Sequence, residues 1–261
     1  MKKILQIANG IALIATIIIN YLSNTGVFNG NTMKTVSDKY HNYFTPASYA
    51  FAIWGVIYLG LSGFVIYTGR SLFKKTRSDG ENIVEEMGWW FVISCVANSL
   101  WVIAWLYDAT GISVILMSVL LISLLKIIIN TRMELDFHPL KKYLLIFWPF
   151  AFYSGWITVA IIADVAAWLT KINWTGWGIS PVSWTIIMII IACLINVVMI
   201  LKRNLREYAL VGIWALIAIA VSNQNEVHSI VIVSYVAAAV IFLFIILSSR
   251  KAGKGRSLGN M

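Results

Sequence analysis

One of the eleven acidic residues stands well inside an apolar run: Asp164, in Ile161-Ile162-Ala163-Asp164-Val165-Ala166. A charge at the centre of a bilayer costs about 2.5–3.5 kcal/mol on insertion scales, so this carboxylate calls for a polar cavity, a partner or a route to water. Asn98, in Val96-Ala97-Asn98-Ser99-Leu100-Trp101, poses a milder version of the same question. Its amide either joins two helices through a hydrogen bond, worth about 0.6 kcal/mol, or faces a bound molecule. Aromatic residues accompany both. Trp54 and Tyr58 stand at i and i+4, and Asn98, Trp101 and Trp105 follow i, i+3 and i+7, so each set lies along one helix face. Trp156, Asp164 and Trp168 are spaced by multiples of four and drift round a broader face. Flat rings with an Asn and an Asp at similar depth suit a planar, mostly apolar ligand with polar edges. The alternatives are ordinary aromatic packing and, for Asp164, a carboxylate that snorkels to water.

Other chemistries find no support. His41, His138 and His228 are scattered over separate loops or span ends, which gives no metal-ligand spacing. P-loop, GxGxxG, GxSxG and paired-carboxylate patterns are missing, so hydrolysis by a triad and nucleotide-driven transport lack a basis. Cys95 and Cys193 lie in apolar stretches and read as small buried hydrophobes. Gly60-Leu61-Ser62-Gly63 reads as close helix packing, and Asn196 as an interhelical hydrogen bond.

The elements that must position these residues follow from composition. In 261 residues, 60% are apolar and 12% are charged, about half the charge of a soluble domain. Mean hydropathy is +0.82. A polytopic, all-α integral membrane protein is implied, and soluble, disordered and disulfide-stapled classes are disfavoured. Eight apolar segments approach the required length of about 20 residues. They run over 4–21, 47–69, 87–107, 111–131, 143–169, 182–201, 208–223 and 228–248. Met1-Lys2-Lys3 before the first run resembles a signal peptide, but no Ala-x-Ala-like site follows, which predicts an uncleaved span.

The net charge of +9 reflects topology rather than nucleic acid, because the cations sit in short gaps between apolar runs. With both termini inside, only Lys34, Lys39 and Lys171 of the 20 Lys and Arg fall outside. Every inner loop obeys the positive-inside rule. The expected partners are the lipid bilayer and a small hydrophobic ligand; a homodimer is admitted but not specified. Trp89, Trp90 and Trp148 fit an inner aromatic belt, and Trp168, Trp174, Trp177 and Trp184 an outer one.

These residues together resemble the tryptophan-rich sensory protein family (TspO/MBR, which includes the translocator protein or peripheral benzodiazepine receptor). In that family a Pro-Pro opens the second helix, with a Trp eight residues later and a Tyr four further on; here these are Thr45-Pro46, Trp54 and Tyr58. The third helix carries Asn-x-x-Trp, present as Asn98-Ser99-Leu100-Trp101. The fifth carries Tyr, Trp, Asn and Trp at spacings matched by Tyr153, Trp156, Asp164 and Trp168. The resemblance covers about residues 1–170 and implies a five-helix bundle, with 171–261 supplying three further helices and a basic tail. It also implies a pocket under the first outer loop that takes porphyrins, haem-like molecules or sterols, with Trp54, Tyr58, Asn98, Trp101, Tyr153, Trp156 and Asp164 as its candidates. Asp164 departs from the family's Asn, adding a charge that would exclude an anionic ligand or recruit a cationic one.

The function expected on these grounds is binding or sensing of a planar hydrophobic molecule, first of all a tetrapyrrole. No certain cofactor is implied, and binding is favoured over catalysis. A transporter of such a ligand and a light-dependent porphyrin-degrading enzyme are the rivals. The expected location is a bacterial inner membrane, with both termini cytoplasmic.

Overall fold

The computed structural model describes residues 1–72, 81–136 and 138–258, and among these all regular structure is helical. In chain order the helices are α1 (Lys2–Leu22), α2 (Met33–Lys39), α3 (Ile53–Gly69), α4 (Glu81–Met87), α5 (Trp90–Leu106), α6 (Thr110–Asn130), α7 (Leu140–Lys142), α8 (Trp148–Lys171), α9 (Pro181–Arg203), α10 (Arg206–Ser222) and α11 (His228–Leu258). Lys74, Lys75 and Arg77 of the expected inner loop lie outside the described residues, as do the side chains of the tail cations Arg250, Lys251, Lys254 and Arg256.

Eight of these helices fall on the eight expected segments. Six apolar stretches, containing α1, α3, α6, α8, α9 and α11, are long enough to cross a bilayer. The other two, α5 and α10, have 17 residues each, about 25 Å at about 1.5 Å per residue. The protein is an all-helical, multi-pass membrane protein.

Local chemistry sets several helix ends. Thr32 and Thr35 form a reciprocal capping box at α2: Thr35 N donates to Thr32 Oγ1 at 3.2 Å and Thr32 N to Thr35 Oγ1 at 2.8 Å. Ser180 caps α9 by accepting from Ser183 N at 3.1 Å, and Pro181 fills the first helical position, where its missing N–H costs nothing. Asn204 ends α9 in the left-handed region at φ 56° and turns the chain directly into α10. A π-helical turn, Tyr143–Phe147, precedes α8 just before Pro149, whose ring nitrogen cannot donate to the preceding turn.

The described residues divide into two compact units, 1–42 with 51–174, and 43–50 with 175–261. In the first unit α1 packs on α5, α5 on α6, α6 on α8, α8 on α3, and α3 back on α1, which closes a ring of five helices. Phe64, Phe91 and Phe150 fill part of its interior edge-to-face, with centroids 5.0–5.5 Å apart, each such pair adding about 0.5–1.5 kcal/mol beyond burial. Helices α3 and α8 approach closely at Gly60, where a Cβ would come within 3.0 Å of the Pro149 ring. Gln6 Nε2 ties α1 to α3 by donating to Thr68 O at 2.6 Å. In the second unit α9, α10 and α11 each pack on the other two.

Candidate functional site

The ring of five helices gathers an aromatic and polar cluster. The Trp54 ring touches three others: Tyr58 (5.4 Å, stacked), Trp101 (6.3 Å, stacked) and Tyr153 (5.7 Å, edge-on). The first of these is the i,i+4 pair on α3; the other two bring in α5 and α8. A chain of amides runs beside the rings. Asn20 Nδ2 on α1 donates to Asn98 Oδ1 at 2.7 Å, and Asn98 Nδ2 donates to Tyr153 Oη at 2.9 Å. Asn98 is fully buried, so both bonds are needed to offset the loss of water from its amide.

Asp164 is 3% exposed and sits beside α6, where Ser113 Oγ donates to its Oδ1 at 2.7 Å. In this conformation the carboxylate does not reach water. Trp101 is its other polar neighbour. Yet Trp101 Nε1 and Asp164 Oδ2 are both buried without a well-formed hydrogen bond, and so is Tyr58 Oη. Buried polar atoms are rarely left this way, because each forfeits about 1–3 kcal/mol of hydration. Here three of them, one each on α3, α5 and α8, border a group of flat rings.

The structure therefore brings Trp54, Tyr58, Asn98, Trp101 and Tyr153 into one cluster, with Asp164 beside Trp101. Trp156 is 2% exposed and packs edge-on against Phe51 at 5.8 Å. Three residues were not singled out by spacing: Asn20, Ser113 and Phe51. Ser113 and Asn20 make single bonds across helices, which leave no periodic mark. The sole hint of Phe51 is its place three residues before Trp54. Trp105 shares a face with Trp101 but serves the loop, its Nε1 donating to Met33 O at 3.4 Å.

That loop, between α1 and α3, closes over the C-terminal end of α5. Asn29 Nδ2 and Asn31 Nδ2 both donate to Leu106 O, at 3.3 and 2.9 Å, which satisfies a carbonyl that the helix itself leaves unpaired. Lys39, at the end of α2, pairs with Asp108 in the α5–α6 turn, and Lys171 Nζ donates to the Asp108 carbonyl. Partial burial alone would raise the Asp108 carboxyl, but the hydrogen bond and charge of Lys39, helped by Tyr40 and Lys171, outweigh it and hold the group below the ordinary carboxylate range. A carboxyl lowered on docking stabilises the docked loop fully above the ordinary value of about 3.9 and loses that contribution as pH falls through the lowered value. The pair is half-exposed on the Lys39 side, at 55%, so salt should weaken it as well. Protection of residues 24–41, measured as exchange relative to the intrinsic rate at each pH, is expected to fall between pH 5 and pH 3 and in high salt. Lys39→Met should show low protection at both pH values; an unchanged loop in that variant would show that the pair does not hold it.

No curated protein and no solved structure matches the chain. One family model, described as TSPO-like protein, matches residues 6–247, from the first helix into the last. With nearly the whole length matched, and with the ring of five helices and its Trp54–Asn98–Tyr153 cluster in place, the chain belongs to the TSPO-like protein family.

Proposed function

We propose that the five-helix ring binds a planar, largely apolar molecule of the tetrapyrrole class, in a sensing or homeostatic role at a bacterial inner membrane with both termini cytoplasmic. Membership in a TSPO-like family points to membrane-embedded ligand binding. The observation that carries the finer reading is a set of buried polar atoms without a well-formed hydrogen bond, Tyr58 Oη, Trp101 Nε1 and Asp164 Oδ2, beside stacked rings on three helices. Rings provide a face for a flat ligand, and the polar atoms provide partners for its edge. Asp164 fits part of such a molecule and not all of it. A pyrrole N–H or a cationic group would meet Oδ2 favourably, whereas a carboxylate side chain of the ligand would be repelled and must point elsewhere.

Titration of the purified protein with protoporphyrin, in darkness and in light, tests this. Saturable quenching of Trp fluorescence with the porphyrin spectrum intact is expected. Absence of saturable binding by any tetrapyrrole would end the proposal. A new light-dependent product, lost in Trp156→Phe, would move the reading to catalysis, and accumulation in sealed vesicles would move it to transport.

A further inference from the structure

The apolar stretch that carries α3 ends at Leu72, and the one that carries α8 begins at Leu140. Arg70 and Lys141 lie within two residues of those boundaries, and both are exposed. Their charges converge on one side chain, the half-buried Tyr67 on α3. Arg70 Cζ stands 5.8 Å from the centre of its ring and Lys141 Nζ 5.2 Å, inside the reach of about 6 Å over which an aromatic ring attracts a cation. The next residue, Lys142, is turned elsewhere: its Nζ lies 3.4 Å from each ring nitrogen of His138 and 5.3 Å from the centre of the Phe147 ring. Asp136 is paired with Arg132 at 3.1 Å, and no salt bridge to Arg70 or Lys141 is present among the described residues.

The elements that carry the two cations are fixed within the ring of five helices. Gln6 Nε2 on α1 donates to Thr68 O at 2.6 Å and to Ser71 Oγ at 2.8 Å, which pins the chain on both sides of Arg70. Lys141 leads into the π-helical turn Tyr143–Phe147, and that turn packs on α3, where a Cβ at Gly63 would lie 3.4 Å from Leu145 Cδ2. Two like charges gathered at one ring call for a counter-ion. Beside them on the same elements Ile66, Leu140 and Leu144 are 65%, 66% and 45% exposed, an apolar surface that a soluble anion would leave uncovered. A lipid phosphate at the level where the apolar stretches end, with acyl chains alongside, satisfies both. A choline or ethanolamine head group would bring its own ammonium against the two cations, so the complement is a head group of net negative charge. We propose that Arg70 and Lys141, with the Tyr67 ring they share, hold the phosphate of an anionic phospholipid whose acyl chains lie along Ile66, Leu140 and Leu144. Tyr67 follows Trp54 by 13 residues on α3, about 20 Å along the axis, so this site stands apart from the aromatic cluster and does not rest on the tetrapyrrole reading.

Native mass spectrometry of the full chain in detergent, titrated with phosphatidylglycerol or with phosphatidylcholine of the same acyl chains, counts bound lipids directly. The wild-type protein is expected to take up phosphatidylglycerol in preference. Arg70→Gln and Lys141→Gln should each weaken its binding about fivefold, and the double variant about 25-fold. Phosphatidylcholine uptake should stay unmoved in all three, which shows that they are folded. Lys142→Gln removes the same charge one residue away and should leave both lipids as they are. Tyr67→Phe should bind as the wild type does, and Tyr67→Leu more weakly. Equal uptake of the two lipids by the wild-type protein would overturn the proposal, and so would equal losses in Lys141→Gln and Lys142→Gln, which would report net charge alone. Inorganic phosphate in excess, at constant ionic strength, separates the two sources of the same chemistry. Unchanged phosphatidylglycerol uptake is expected; displacement of the lipid would mean a site for a soluble anion and would overturn the lipid assignment.

Discussion

Replacing Asp164 by asparagine is expected to strengthen protoporphyrin binding about tenfold and to raise the thermal midpoint of the free protein. The carboxyl group is 3% exposed and has one well-formed hydrogen bond, from Ser113, with Trp101 as its other polar neighbour. No salt bridge to Asp164 is present among the described residues. A bond to a charged group returns about 1.5–3 kcal/mol, while the effective cost of burying an ion is several kcal/mol. The balance is unfavourable for the charged form, and a ligand carrying its own carboxylates worsens it. The Asp164→Asn substitution keeps an oxygen for Ser113 and nearly the same shape, and removes the repulsion. Tenfold in affinity is about 1.4 kcal/mol, well inside that range. Calorimetric titration and a melting curve on both proteins check the result. Equal affinities and equal midpoints would mean that Asp164 carries no charge that matters to the site.

The second large effect is expected at Gly212, in the other unit. A Cβ there would lie 2.4 Å from Asn196 Oδ1 and 2.7 Å from both Cγ and Nδ2. Asn196 is 1% exposed, and its Nδ2 donates to Ala192 O at 2.8 Å, so the amide has little room to withdraw. Gly212→Ala should cost about 1–3 kcal/mol through overpacking between α9 and α10. Asn196→Ala should cost less, because its Oδ1 has no partner to lose. In the double variant the new methyl occupies space vacated by the amide, so most of the stability lost in Gly212→Ala should return. Thermal unfolding of the three variants forms a double-mutant cycle, and strict additivity would refute the steric account.

The long helices were legible because hydropathy and charge are summed over about 20 residues, and a local error does not move the sum. Thus α6 was expected at 111–131 and runs Thr110–Asn130. The short helix α2 leaves no such sum for the converse reason. Thr32 and Thr35 act through a pair of local bonds that no periodicity reports. Within the site, the Trp54–Tyr58 stack followed from i,i+4 spacing, while the bonds Asn20–Asn98–Tyr153 and Ser113–Asp164 depend on which helices are neighbours. That adjacency is a property of the closed ring, and one sequence does not display it. Trp105 shows the limit of facial reasoning: it shares a helix face with Trp101 but bonds the loop backbone.

Helix α5 spans about 25 Å, against about 30 Å for the hydrocarbon layer of a typical bilayer. It is largely enclosed but leaves Ile93, Val96 and Leu100 exposed along one stripe. Acyl chains beside that stripe meet a helix shorter than a typical hydrocarbon layer. Such hydrophobic mismatch is relieved by local thinning of the membrane, at a cost that grows with each ångström. Asn98 and Trp101 ride on this helix, so any such thinning is expected to act on the cluster as well as on the lipid.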